Sequence, residues 1–225
     1  VPPTEKDTEA LVKRVSFIKH TYYGGFCVMH ADMKHNDVAY STSKLNLHTD
    51  NNYFTEPAGV EFLHIIHHDG QGGHSLFADG FYLASQLSKE DYDTLSTLRV
   101  PPRLAGDVDG HYLPTPSTMP ILNLHPVTNE LYAVRFNNED RGVMCNMPLD
   151  DQERFYRAFM NWLALTKSPE NVVEMKLHPG TVVGFNNWRA LHGRTQFTGN
   201  RSLCSSYCGH DDWRSRLHVL RRRLQ

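Results

Sequence analysis

Apolar positions along this chain follow two rhythms. Leu11, Val15, Ile18 and Tyr22 recur at helical spacing, with Thr4 placed to cap and Gly24-Gly25 placed to stop. The spacing predicts a helix over 4–22. A second stripe of Phe155, Phe159, Trp162 and Leu163 predicts an amphipathic helix over 150–166. Short helices are predicted at 80–87 and 89–98, the latter capped by Ser88 with Asp91 three residues on. A last helix starts near Asp211-Asp212.

The other rhythm is extended. VEFLHIIH at 60–67 reads as a buried strand, being rich in β-branched and apolar residues. Gly70, Gly72 and Gly73 turn the chain into SLFAD, a second strand. PILNLH and LYAVRF read as paired strands across 126–130. Further strands are predicted at 45–50, 172–177, 181–185 and 201–208. Residues 26–42 look irregular, and the proline-rich 101–119 reads as a loop with short strands. There is no internal repeat, linker or low-complexity tract. Mostly antiparallel strands with helices at both ends and in an insertion predict one α+β domain over 1–225, its sheet a sandwich or barrel.

Composition narrows the function classes. The chain has 225 residues, 40% apolar and 21% charged, with a net charge of −2. That profile is globular and carries no basic surface for nucleic acid. Arg221, Arg222 and Arg223 suit the end of a helix. No apolar run is long enough for a membrane span, and no signal peptide is visible. Cys27, Cys145, Cys204 and Cys208 form no C-x-x-C pair, so they read as reduced thiols of an intracellular protein. The start, Val1-Pro2-Pro3-Thr4, reads as if an N-terminal portion were missing.

Histidine is the outlier, at 14 residues. One of them lies in LNLHTDNNYF, residues 45–54. In a strand, His48 and Asp50 would point to the same face. H-x-D is either a hydrogen-bonded pair or two ligands of a metal. A facial triad of two histidines and one carboxylate holds Fe(II) and leaves positions open. The best third ligand is His192, in FNNWRALHGRTQFTGNRSL, with Arg201 nine residues on at the start of a strand. An arginine fork there would bind a carboxylate. That combination suits a 2-oxoglutarate-dependent oxygenase, and Ser75 is placed to add a hydroxyl donor. Asn186 and Asn187 are expected to orient His192.

The stretches VPPT, DVAYST (37–42), HTDNNYFTEPAGVEFLH (48–64), GGHSLFADGFY (72–82), LYAVRFNNEDR (131–141) and NNWRALHGRTQFTGNRSLCSSY (186–207) carry a resemblance. The chain resembles the trimethyllysine dioxygenase and γ-butyrobetaine dioxygenase group, within the taurine-dioxygenase-like superfamily. The resemblance implies a double-stranded β-helix, or jelly-roll, core with flanking helices. It implies Fe(II) on His48, Asp50 and His192, and 2-oxoglutarate on Arg201 and Ser75. O2 would be consumed, with ascorbate as a stimulant. It also implies a pocket for a quaternary ammonium group, recognised by aromatic faces. Matching positions are Tyr23, Cys27, Tyr40 and Tyr207, with Cys27 standing where the family has an aromatic. Asp37 matches an acidic position, and Asn137 and Asn138 match substrate-contacting ones. The implied guest is a small amino acid, and the implied reaction is hydroxylation of Nε-trimethyllysine, the opening step of carnitine synthesis. Cys27 leaves open a pocket repurposed for another amino acid, with hydroxylation, desaturation or ring closure as the outcome. A non-catalytic jelly-roll binding protein is the alternative from a different class. Related enzymes imply a homodimer, in the cytoplasm or the mitochondrial matrix.

Overall fold

The computed structural model describes residues 1–21, 23–30, 41–104, 119–145 and 147–225. Helix α1, Glu5–Val15, begins where the Asp7 amide donates to Thr4 Oγ1 at 3.1 Å. It ends well before residue 22, because the chain beyond it joins a sheet edge. The Lys19 amide donates to the Tyr207 carbonyl, and Ile18 bridges to Cys208. The buried face is Thr8 and Val12, and Val15 is exposed. Thr8 Oγ1 meets the buried His64 Nδ1 at 2.6 Å, and this contact turns that face onto the sheet.

Ten strands follow the helix. They are β1 (Phe26–His30), β2 (Leu45–His48), β3 (Val60–His68), β4 (Ser75–Asp79), β5 (Leu122–Leu124), β6 (Leu131–Val134), β7 (Val173–Met175), β8 (Val182–Asn186), β9 (Ala190–Arg194) and β10 (Arg201–Cys208). One antiparallel sheet has the order β1-β10-β3-β8 and a second has β2-β9-β4-β7. The chain passes back and forth between them, from β1 to β4 and again from β7 to β10. That winding is a double-stranded β-helix. The sheets face each other: Phe77 of β4 meets Phe185 of β8 edge-on at 5.3 Å. β5 and β6 pair as expected, in a separate two-stranded ribbon.

Both sheets are covered on their outer sides. α1 packs Val12 against Phe62 and Cys208 of the first sheet. The second sheet lays Leu47, Leu76, Ala78 and Leu191 against a larger core. That core is built with α2 (Gly80–Ser85), α3 (Lys89–Thr97) and α4 (Leu149–Lys167), whose Phe155, Phe159 and Trp162 are fully buried. Ser88 caps α3 through the Asp91 amide, as predicted. α5, His210–Arg223, closes the described structure. Two strands were not read from the sequence: β1 within 26–42, and β9. None of the four cysteines forms a disulfide.

Covering both sheets on the outside leaves the inner faces for something other than fat. Their residues include His48, Glu61, Ser75, His192, Arg194, Arg201, Ser205 and Tyr207, all buried. A polar interior of this kind needs a purpose.

Candidate active site

His48 ends β2 and pairs in register with His192 of β9. Their rings lie 4.2 Å apart. Gly193 permits this approach, since a Cβ there would stand 2.6 Å from the Leu45 carbonyl oxygen. His48 Nδ1 sits 2.8 Å from the Asn46 carbonyl oxygen, which fixes the proton on Nδ1 and leaves an Nε2 lone pair. That Nε2 is 3.1 Å from Asp50 Oδ1, and His192 Nε2 is 3.8 Å from the same oxygen. The donor atoms of His48, Asp50 and His192 all lie within 4.8 Å of one another. Asp50 lies two residues past the end of β2, so the two-residue spacing joins the pair beyond the strand rather than through strand alternation. Asn51, at φ 58, turns the chain after Asp50, and the Phe54 amide donates to its carbonyl.

Charge in the cluster suits a cation. Burial and the neighbouring His48 lower the His192 pKa to about 3, so its imidazole is neutral. Burial opposes ionisation of Asp50, but the imidazoles of His192 and His48, with the Tyr207 hydroxyl, hold its carboxyl below the usual range. Burial also disfavours charge on His48, yet its hydrogen bond to Asp50 raises its pKa overall. Two imidazole lone pairs and one carboxylate, converging and buried, are the donor set of a facial-triad metal site.

Asp50 is held from both ends. Tyr207 donates its hydroxyl to Asp50 Oδ2 at 2.5 Å. Asn187, 1% exposed, accepts from the Asp50 amide at 2.8 Å and donates to the Asp50 carbonyl at 3.1 Å and the Ala58 carbonyl at 2.9 Å. Asn187 therefore orients Asp50, not His192 as expected. Asn186 only accepts from the Trp188 amide and pairs with Val60 in the sheet.

The cluster opens into a cavity of about 230 Å³ that also holds Tyr23, Tyr53, Glu61, Ser75, Arg194 and Arg201. Arg201 is buried, and among the described residues no carboxylate pairs with it. Burial and the nearby Arg194 bring its pKa down to about 10, still fully charged at neutral pH. Both guanidinium groups stack on Phe197, at 4.7 Å for Arg194 and 5.6 Å for Arg201. A buried fork without a counter-ion fits an anionic guest such as a dicarboxylate.

The model of the taurine catabolism dioxygenase TauD, TfdA family matches residues 1–207. The chain belongs to this family. Rat mitochondrial trimethyllysine dioxygenase is 40% identical over 215 residues, covering 94% of this chain and 51% of the relative. Human γ-butyrobetaine dioxygenase is 32% identical over 226 residues, covering 97% of this chain and 58% of the relative. The chain thus spans about half the length of the curated relatives it matches. Among solved structures, the non-heme iron oxygenase OrfP, in complex with Fe and alpha-ketoglutaric acid, superposes with a TM-score of 0.64. It is 21% identical, covering 89% of this chain and 62% of OrfP. The likeness shows that the jelly-roll fold is shared.

Seen as a TauD-family site, the expected residues divide. His48, Asp50, His192, Ser75, Arg201, Tyr23, Tyr207 and Asn137 all line the cavity. Tyr207 does so with its hydroxyl engaged by Asp50. Asn138 lines a neighbouring cavity of about 370 Å³ on the other side of β2. Cys27 pairs with Ser205, which puts it on the inner side of β1, but it is not among the lining residues. Phe26 pairs with Ser206 and faces the other way, so it does not replace the missing aromatic. Asp37 and Tyr40 lie outside the described residues. Sequence reasoning missed Arg194, Glu61 and Tyr53. Arg194 follows His192 by two residues, and a strand assigned to 190–194 would have placed both on one face. Glu61 stood in plain view as the one acid of an apolar run. Its side chain is 2% exposed, and burial together with the Asp50 charge raises its pKa well above the ordinary value.

Proposed function

We propose that this chain is the catalytic part of an Fe(II)- and 2-oxoglutarate-dependent oxygenase that hydroxylates Nε-trimethyllysine. One observation carries the reading: a facial triad of donors opens into the same cavity as an arginine that has no counter-ion among the described residues. The 40% identity to a trimethyllysine dioxygenase supports the choice of substrate. Amino-acid oxidation as the first step of carnitine synthesis, in the mitochondrial matrix or the cytoplasm, belongs to the same reading.

His48 and His192 would hold the metal through their Nε2 atoms, and Asp50 through Oδ1. When bound, Fe(II) with 2-oxoglutarate and O2 supplies an oxidant that removes hydrogen from a substrate C–H bond, as the 2-oxo acid becomes succinate and CO2. Arg201, with the buried Ser75 lining the same cavity, would take the far carboxylate of the cosubstrate. Tyr207 and Asn187 keep Asp50 aimed, so the ligand arrives pre-oriented. Leu63 and Leu203 line the cavity with apolar surface and help keep water from the reacting atoms. Tyr23 and Tyr53 offer aromatic faces suited to a quaternary ammonium group.

Succinate release tests the reading. The Fe(II)-loaded protein is incubated with 2-oxoglutarate in air, first with trimethyllysine and then with a panel of amino acids. Succinate coupled to hydroxytrimethyllysine is expected. Coupling to another amino acid alone would shift the substrate, and no 2-oxoglutarate consumption with any guest would sink the enzyme reading.

A further inference from the structure

Glu61 is an inner-face residue that the proposed mechanism leaves without work. It lies on β3, between Phe185 of β8 and Tyr207 of β10 in the ladder. Its Oε2 reaches to 3.3 Å from His192 Nε2, yet is buried with no hydrogen-bond partner. Its Oε1 has only a long contact, 3.5 Å, from the Ser205 hydroxyl. Among the described residues no lysine or arginine pairs with it. It is also outside the group of three whose donors converge within 4.8 Å. A carboxyl kept in an apolar strand, beside a metal site but outside the ligand set, is costly unless something meets it.

Strand register shows which end of the cavity it occupies. On β10, Arg201 pairs with His68, whereas Tyr207 pairs with Glu61. About 20 Å of strand separates those rungs, at roughly 3.3 Å per residue. Arg201 and Glu61 therefore lie toward opposite ends of the cavity. A dicarboxylate reaching from the triad toward Arg201 leaves the Glu61 side for the second guest.

We propose that Glu61 is a specificity-determining residue that receives the α-ammonium group of an amino-acid substrate beside the metal. The inference rests on an amino acid being the guest of this cavity. A primary ammonium brings three N–H donors and a positive charge, which supply the missing donor at Oε2 and favour the ionised form of a carboxyl that is otherwise held neutral by burial and Asp50. A quaternary ammonium has no N–H and cannot meet that need, so it belongs against the tyrosines. With the ammonium held next to His192, the carbons nearest the amino group are the ones presented to the metal.

The test separates this role from a structural one. Protein loaded with Mn(II) and 2-oxoglutarate is titrated under nitrogen, by calorimetry, with L-trimethyllysine and with its α-desamino analogue. Wild type is expected to bind the amino compound at least about tenfold more tightly, as a charge-assisted hydrogen bond warrants. Glu61→Gln is expected to bind both alike while keeping its Mn(II) affinity and its melting temperature. Glu61→Asp, which restores the charge, is expected to recover part of the preference. No preference in wild type, or a full preference in Glu61→Gln, overturns the inference. If trimethyllysine does not bind at all, the substrate reading has failed, and the same comparison is run with other L-amino acids and their desamino acids. Absence of any amino-dependent preference in that series also overturns it.

Discussion

Replacing Asn187 with alanine removes the clamp on Asp50 without touching a proposed metal ligand. Three hydrogen bonds disappear at once, with the Asp50 amide, the Asp50 carbonyl and the Ala58 carbonyl. The side chain is 1% exposed, so water does not readily replace it. A buried backbone group left unsatisfied costs about 1–3 kcal/mol. Allowing for partial relaxation, the loss should be about 3–5 kcal/mol, a large share of the ~5–15 kcal/mol that stabilises a domain. Metal affinity should fall as well, by about 10–100-fold, the usual cost of losing a group that orients a ligand. Urea denaturation of the metal-free protein gives the first quantity, and Mn(II) titration gives the second. Asn186→Ala is the control, because Asn186 reaches only the Trp188 amide. It should cost about 1 kcal/mol and leave metal binding unchanged. A stability loss below about 1 kcal/mol in Asn187→Ala, with native metal affinity, would refute the idea that this side chain holds Asp50 in place.

Other consequences can be checked alongside. Arg201→Ala should raise the 2-oxoglutarate concentration needed for half-maximal succinate release by about 10–100-fold, the value of charge-assisted hydrogen bonds, and spare Mn(II) binding. An unchanged requirement would remove Arg201 from the cosubstrate site. Gly193→Ala would force a methyl group to within 2.6 Å of the Leu45 carbonyl oxygen, so β2 must move off β9. A stability loss of about 1–3 kcal/mol and weakened metal binding are expected, and a native melting curve with native affinity would contradict the contact. Metal binding should weaken as pH falls from 8 to 6. The His48 pKa is raised, so its protonated form competes with the metal below that pKa, while His192, at about 3, is already neutral across this range. Mn(II) affinity that stays flat across this range would argue that His48 is not a ligand.

Much of the architecture could be read from apolar spacing because the outer faces carry it. VEFLHIIH reads as a buried strand since α1 covers one side of β3 and the cavity lies on the other. The stripe of Phe155, Phe159 and Trp162 gave α4 for the same reason. β9 escaped because its inward residues are His192 and Arg194 and its middle residue is a glycine. Polarity and a small residue both argue against a strand, yet here the polarity is the site and the glycine makes room for β2. α1 was overextended because Ile18 continues the helical spacing but is taken up by the edge of β10. The three residues of the candidate metal cluster, and Arg201 in the cavity beside it, were legible as spaced motifs. Glu61 and Asn187 were not assigned their positions, since nothing local tells which carboxyl an amide or an imidazole will meet across two sheets.

The pairing of β2 with β9 has a consequence for how the protein comes into being. His48 and His192 are partners in the ladder but some 140 residues apart in the chain. Closing a loop of that length costs entropy that only the assembled sheets recover. During synthesis, a chain released as far as β4 carries His48 and Asp50 but not a third ligand, and can hold a metal only weakly. Loading of the proposed site with a metal would thus be a late event that waits for nearly all of the described fold. A ribosome-bound fragment could not assemble the proposed centre before the surrounding walls exist to contain its chemistry.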